Sequence, residues 1–250
     1  MRGDLSAVSM IWRRDLIRLS RDWAQIAGSL ARPILWLLML GLGMGSAFPG
    51  FGGVPYRAYL FPGIVALNLL FGSFLSAISV IWDREFGFLK EMLVAPISRS
   101  SIAVGKAISG ATVSTLQGCL VLGFMPLVGV EGGFSRLLLG LPIMFLIAFT
   151  MTCLGLVVAA RMTSFEGFGT IANFVVMPMF FLSGAIFPLA NIPHWLAAFA
   201  KVNPMTYGVD ALRNIFVGGP VLPLWMDVMV LSSFAAIAVS LAVRSFCLRP

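Results

Sequence analysis

Charge is what this chain has least of. Only 11% of its 250 residues are Asp, Glu, Lys or Arg, while 59% are hydrophobic and the mean hydropathy is +0.98. A soluble domain is about 25% charged, so water is excluded as the solvent for most of the chain. Ligand-type residues are equally sparse. The single histidine, His194, and the three cysteines, Cys119, Cys153 and Cys247, are scattered, and no zinc-site spacing occurs. A phosphate-binding loop is missing as well: Gly105-Lys106 is followed by Ala107 and lacks the upstream glycine. There is no H-E-x-x-H, and Ser183 in "FLSG" lacks the preceding glycine of an intramembrane serine protease. No catalytic, cofactor-binding or metal-binding residues are therefore expected in this chain.

What is present is lipid-compatible length. Charge-free runs cover Pro33–Tyr56, Ala58–Trp82, Ala107–Val130, Leu137–Ala160 and Gly167–Ala200, and a sixth, Val228–Val243, becomes long enough when extended back to Leu222. A helix needs about 20 apolar residues to cross a bilayer core. The runs are continuous, whereas a barrel requires short alternating segments. The expected fold is an all-α integral membrane protein with six transmembrane helices. The first five runs lack Asp, Glu, Lys and Arg, which removes the usual coupling groups of ion-driven transport. Asp227 is the one candidate, in the first turns of the sixth span near a headgroup region.

Basic residues set the orientation. With six spans, 13 of the 17 Lys and Arg fall on the side that holds both termini and the 82–106 and 161–166 loops. The positive-inside rule makes that side cytoplasmic. The net charge of +7 is thus a topology signal, and no nucleic-acid partner is expected.

Residues 1–32 carry six Arg and no short apolar core with a cleavage site, so a cleavable signal is not expected. Val8, Trp12, Leu16, Leu19, Trp23 and Ile26 share one helical face, with Arg13, Arg14, Arg18, Arg21 and Asp22 on the remainder. This pattern predicts an amphipathic helix lying in the membrane interface, the alternative being a surface helix packed on protein. Pro33 is expected to break it, dividing the chain into 1–32 and a membrane domain, 33–250.

Between the second and third runs stands "REFGFLKEMLVAPISR", Arg84 to Arg99. Phe86, Phe88, Leu89, Met92 and Leu93 form a broad apolar arc interrupted by Glu85; Arg84, Lys90 and Glu91 lie outside it. Pro96 disfavours helix at Ala95, and Ser98, Ser100 and Ser101 can cap the third span. The segment reads as a short cytoplasmic helix, either a tether on the bilayer or a docking peg for a soluble partner. Near the other end, Pro188, Pro193 and Pro204 cut Phe180–Arg213 into two short helices, "PHWLAAFAK" and "PMTYGVDALRNIF", suited to dipping into the outer leaflet as re-entrant pieces before the last span. Asn203, Thr206, Tyr207, Asp210 and Arg213 there serve either as caps and internal pairs or as an outer gate.

"REFGFLKEMLVAPISRSSIAVGK" resembles the cytoplasmic loop of the ATP-binding-cassette type-2 export permeases, and "FFLSGAIFPLANIPHWLAAFAKVNPMTYGVDALR" resembles the segment that follows their fifth span. The resemblance implies the permease subunit of a drug- or polysaccharide-type exporter in a bacterial or archaeal inner membrane. It further implies a homodimer with two copies of a separate ATPase, so that ATP and Mg are bound on that partner. The segment containing Arg84, Glu85, Phe86, Leu89, Lys90 and Glu91 then corresponds to the ATPase-coupling helix, and the N-terminal helix to the interfacial connecting helix. For a hydrophobic or amphipathic cargo, Asn68, Phe71, Phe74, Met177, Phe180 and Phe181 are candidate path residues, packing or lipid contact being the alternative. An ion-coupled secondary transporter and a non-transporting membrane scaffold are the competing functions.

Overall fold

The computed structural model describes residues 2–43, 50, 53–86, 98–130, 133–189, 192–219 and 221–247, and these are helical throughout apart from turns and short links. In chain order the α-helices are α1 (Arg2–Arg21), α2 (Trp23–Trp36), α3 (Tyr56–Ser76), α4 (Ile78–Glu85), α5 (Arg99–Leu122), α6 (Phe134–Ala159), α7 (Phe165–Phe181), α8 (His194–Val202), α9 (Pro204–Phe216) and α10 (Leu224–Cys247). Among the described residues, four helical stretches are long and apolar enough to cross a membrane: Trp23–Gly41, Tyr56–Glu85, Phe134–Ala159 and Leu224–Cys247.

The first break falls at Asp22, not at Pro33. The Asp22 carboxylate accepts the Gln25 N–H at 3.0 Å and caps α2, while Pro33 sits inside that helix. A proline costs an interior helix one backbone hydrogen bond. An N-cap satisfies a donor that every helix start leaves orphaned, and here the cap fixes the boundary. The helix then widens into a π turn over Leu37–Leu42. The expected interfacial face of α1 is also divided. Ala7 and Ile11, which are outside the six apolar positions expected to share the face, are the residues buried against α5, where Gly105 lets Ile11 approach, whereas Trp12 and Trp23 of the expected face are exposed.

α3 is the central rod. Seventeen of its 21 residues are buried, among α5, α6, α9 and the more peripheral α2 and α7. It runs into α4 through a tight turn at Ala77, giving a 30-residue rod about 45 Å long. Small residues allow close approach elsewhere: a Cβ on Gly155 would come within 2.8 Å of the Phe74 carbonyl oxygen. α5 begins at Ser98, whose hydroxyl accepts the Ser101 N–H, so Ser98 alone of the three candidate serines is the cap. α7 packs on the bundle through the stripe Phe168, Ala172, Val176 and Phe180, and presents Phe174 outward. α8 and α9 match the two short helices expected from the prolines. Pro204 opens α9, and Pro193 stands one residue ahead of α8. Asp227 lies in the first turn of α10, but is fully buried rather than at a headgroup surface.

Candidate functional site

The Glu85 end of the rod carries a buried ionic cluster. Lys106, on α5 and 3% exposed, pairs with Asp83 on α4 and donates to Ser79 Oγ at 3.2 Å. Arg14, on α1, reaches Asp83 at 3.4 Å and Asp15 at 2.9 Å, and Ser109 Oγ donates to Asp15 at 2.8 Å. Three helices distant in sequence are joined by two cations and two carboxylates. α1 is fastened again where Asp4 Oδ1 accepts the Ser98 N–H at 3.1 Å and the Ser101 hydroxyl at 2.9 Å. Those two donors hold the Asp4 carboxyl down from its ordinary 3.8 to about 2, with the backbone N–H as the larger cause. The Trp12 indole N–H donates to Thr112 Oγ1 at 3.1 Å, a third link to α5.

None of Arg14, Asp15, Asp83 and Lys106 was a sequence-level candidate. The available signal was that Asp83 and Lys106 bound the charge-free runs at one membrane end, opposite an Arg-Asp pair on α1.

Immediately after Asp83 comes the candidate coupling segment. Arg84 donates to the Met162 carbonyl at 2.9 Å and to the Ala160 carbonyl at 3.4 Å, so its guanidinium caps the end of α6. Glu85 is exposed, and Phe86 is 72% exposed beside Trp82, their ring centroids 5.5 Å apart. Leu89, Lys90 and Glu91 lie outside the described residues.

A cavity of about 400 Å³ opens beside the ionic cluster, between α1, α2, the α3–α4 rod and α5. Two of the six candidate path residues, Asn68 and Phe71, line it. Phe74 and Phe180 are core residues, stacked on Phe168 and edge-on to Trp36 respectively. Met177 and Phe181 are on the outer face of α7, 37% and 42% exposed. The six are not brought together within one chain.

At the opposite end three of the five gate candidates, Asn203, Thr206 and Arg213, reach the end of α7 and the turn after it, while Tyr207 and Asp210 bond elsewhere. A helix end leaves carbonyls without partners, and side chains supply them here. Asn203 donates through Nδ2 to the Met179 carbonyl at 2.6 Å while its Oδ1 caps α9. Thr206 Oγ1 reaches the Leu182 and Ala200 carbonyls at 3.3 and 2.7 Å. The Gly184 carbonyl takes Arg213 Nη2 at 2.8 Å and the Tyr59 hydroxyl at 3.3 Å, with the guanidinium 4.1 Å from the Tyr59 ring centroid. Gly184 has φ of +75°, a conformation that only glycine adopts without strain. Asp210 accepts the Val221 and Leu222 N–H groups, tying α9 to the entry of α10. Tyr207 donates to the Lys201 carbonyl at 2.8 Å. The "FLSG" and "NP-x-TY-x-VDALR" stretches are thus two halves of one clasp.

Among the described residues no three His, Cys, Asp or Glu side chains gather as a metal site. The described residues thus form an apolar bundle with an ionic cluster at one end and a hydrogen-bonded clasp at the other. The chain belongs to the ABC-2 type transporter family, whose profile matches residues 6–217. Among its relatives is Nodulation protein J of Rhizobium leguminosarum bv. trifolii, 30% identical over 238 residues, covering 94% of this chain and 90% of the relative. The putative transport permease ycf38 of Cyanophora paradoxa is 28% identical over 208 residues, covering 82% and 72% respectively. Family membership makes the chain a multi-pass transmembrane permease subunit rather than the ATPase, and implies an ABC ATPase as its partner.

Proposed function

We propose that this chain is the permease half of an ATP-driven exporter in a bacterial or archaeal inner membrane. It acts as a homodimer on two ATPase subunits, which bind the ATP and Mg, and moves a hydrophobic or amphipathic cargo outward. Six spans with cytoplasmic termini fit the bundle when α5 and α7 join the four long apolar stretches. α5 has 24 residues and is more polar than the others because α1, α3, α6 and α10 cover it, so its Ser, Thr, Gln and Lys side chains face protein and not lipid. α7, at 17 residues, is about 26 Å long and is continued by the clasp turn. α8 and α9 are then the re-entrant pieces of the outer leaflet, and the clasp is the outer gate. The exposed apolar faces of the Leu37–Leu42 π turn and of α7, including Leu38, Met39, Met177 and Phe181, are the surfaces available for the second subunit.

The observation that carries the coupling role is Phe86. A phenylalanine 72% exposed to the cytoplasmic side is unfavourable in a free subunit and suited to a pocket in a partner. Arg84 fixes the base of that peg to the 160–162 loop. The test is ATP hydrolysis by the purified complex with and without cargo, alongside capture of the ATPase. Phe86→Ala empties the pocket at a cost of about 3 kcal/mol or more if burial there is complete. The charge exchange Lys90→Glu with Glu91→Lys places like charges against the groove. Both variants are expected to insert normally and to lose cargo-stimulated hydrolysis; normal stimulation in both would remove the peg.

A further inference from the structure

The ionic cluster is balanced, with Arg14 and Lys106 against Asp15 and Asp83. Two other cations of the neighbouring cavity are not. Arg18 stands at its cytoplasmic mouth, its guanidinium 5.7 Å from the Trp82 ring centroid. Arg32 reaches from α2 over the face of Phe71, at 4.1 Å. Neither is ion-paired with a carboxylate among the described residues. Arg32 lies nine residues into the stretch Trp23–Gly41, about 14 Å along the helix axis. An unpaired guanidinium at membrane depth is costly and marks a functional site. Its side chain leans back towards the helix N-terminus, which is the cytoplasmic end. Beyond Phe71 the cavity is closed by Asn68, 5% exposed, whose Nδ2 has no acceptor. Two guanidinium groups and a buried amide donor thus line a space whose one lining carboxylate, Asp15, is already taken by Arg14 and Ser109. From Trp82 to Asn68 the cavity follows the rod for about 21 Å. On its open side α2 is only 11% buried, so the cavity borders on lipid.

We propose that this cavity binds the anionic headgroup, phosphate or carboxylate, of an inner-leaflet amphiphile. Arg32 and Arg18 hold the anion, Asn68 donates to a neutral oxygen of the headgroup, and the hydrocarbon chain stays in the bilayer beside α2. The charge-assisted hydrogen bonds give the site its preference for anionic over zwitterionic headgroups. The aromatic faces of Trp82 and Phe71 hold the two guanidinium groups in place when it is empty. This assignment rests on the proposed orientation only for the leaflet that supplies the ligand, and binding can be read without the ATPase.

The experiment is native mass spectrometry of the full chain with dioleoyl-phosphatidylglycerol or dioleoyl-phosphatidylcholine, which share acyl chains and differ in headgroup charge. Preferential retention of phosphatidylglycerol is expected. Arg32→Gln should weaken it about ten-fold, a loss of about one charge-assisted hydrogen bond, and Arg32→Lys should recover part of it. Asn68→Leu removes the unpaired donor, leaves the core apolar, and should also weaken retention, which preserves the test if Arg32→Gln fails to insert. Equal retention of the two lipids, or undiminished binding in both Arg32→Gln and Asn68→Leu, would overturn the assignment. So would displacement of the lipid by millimolar inorganic phosphate, since the ligand would then be a soluble anion. Absence of any headgroup preference in the unmodified protein, with normal cargo-stimulated hydrolysis, would reject this site and leave the exporter standing.

Discussion

Replacing Asp83 by Asn tests whether the buried cluster holds the cytoplasmic end together. Asp83 is the shared acceptor of Lys106 and Arg14, and the Lys106 side chain is 2% exposed. Losing the negative charge leaves a buried ammonium with neutral acceptors alone, Ser79 Oγ and the introduced amide oxygen, and no direct ion pair. Breaking a buried pair from one side costs roughly 3–5 kcal/mol, because the remaining charge is uncompensated. For a chain of this size each kcal/mol moves the melting temperature by about 2–4 °C, so a fall of about 6–20 °C is expected. Lys106→Met should cost less, since Asp83 keeps Arg14 at 3.4 Å. The double variant Asp83→Leu with Lys106→Met should recover most of the loss, as apolar replacement of both partners is often neutral. The assay is thermal unfolding of the three variants in one detergent, followed by tryptophan fluorescence. An Asp83→Asn protein melting within about 2 °C of the parent would refute the reasoning, as would a Lys106→Met protein more damaged than Asp83→Asn.

Three further outcomes follow from the geometry. Gly184→Ala forces φ of +75° on a residue with a Cβ, which would also meet the Leu189 side chain at 3.0 Å; a loss of about 1–3 kcal/mol in the same melt is expected, and an unchanged melt would separate the clasp from stability. The Asp4 carboxyl, lowered to about 2, contributes to α1 docking above its unfolded value near 3.8, and that contribution disappears as pH falls through the folded value; α1 should become protease-sensitive between about pH 4 and 2, and Asp4→Asn should abolish the pH dependence. In a protein with Cys119, Cys153 and Cys247 replaced, single cysteines at Phe86 and Val221, 72% and 80% exposed, should react with impermeant reagents from opposite sides of the membrane; reaction from one side alone would remove the six-span arrangement.

Helix positions were legible because they depend on local signals: apolar length, the prolines that punctuate α8 and α9, and the serine that starts α5. The break at Asp22 was not, because an Asx cap and an interior proline both mark helix ends, and the sequence does not say which prevails. The clasp was visible as residues but undecided as chemistry. Asn203 reads equally as a cap and as a gate until the Met179 carbonyl is seen 2.6 Å from its amide. The buried cluster was hidden for a different reason. Lys106 counted as a loop charge because the third apolar run begins one residue later. Only the packing of α1 and α4 over the first turns of α5 makes it an interior residue. Pairing across 23 residues, or across the 69 that separate Arg14 from Asp83, leaves no periodic trace.

The two polar regions are linked by a single element. At its outer end the α3–α4 rod is tied to the clasp by the Tyr59 hydroxyl on the Gly184 carbonyl and the Tyr56 hydroxyl on the Ile186 carbonyl, at 3.3 and 3.5 Å. At its inner end Asp83 joins it to α1 and α5, and Arg84 joins it to the 160–162 loop, two residues before the exposed Phe86. Between these ends the rod is packed on nearly every side, so a lateral shift of one part must displace α5 and α6 with it, close packing leaving little slack. The exception is Ala77, where the Ala77 and Val80 N–H groups bond three residues back instead of four. Short 3₁₀-type interruptions of this kind concentrate bending in a helix. A force on Phe86 therefore has two outlets: rotation of α4 about Ala77, or translation of the whole rod. Rotation breaks the Asp83 contacts and leaves the clasp alone, whereas translation that carries α1 and α5 with the rod keeps the ionic cluster and strains the Tyr59–Gly184–Arg213 junction. Because the buried ion pair is the more costly of the two to break, the geometry favours translation, and under the proposed coupling role the clasp is where a push on Phe86 is first felt.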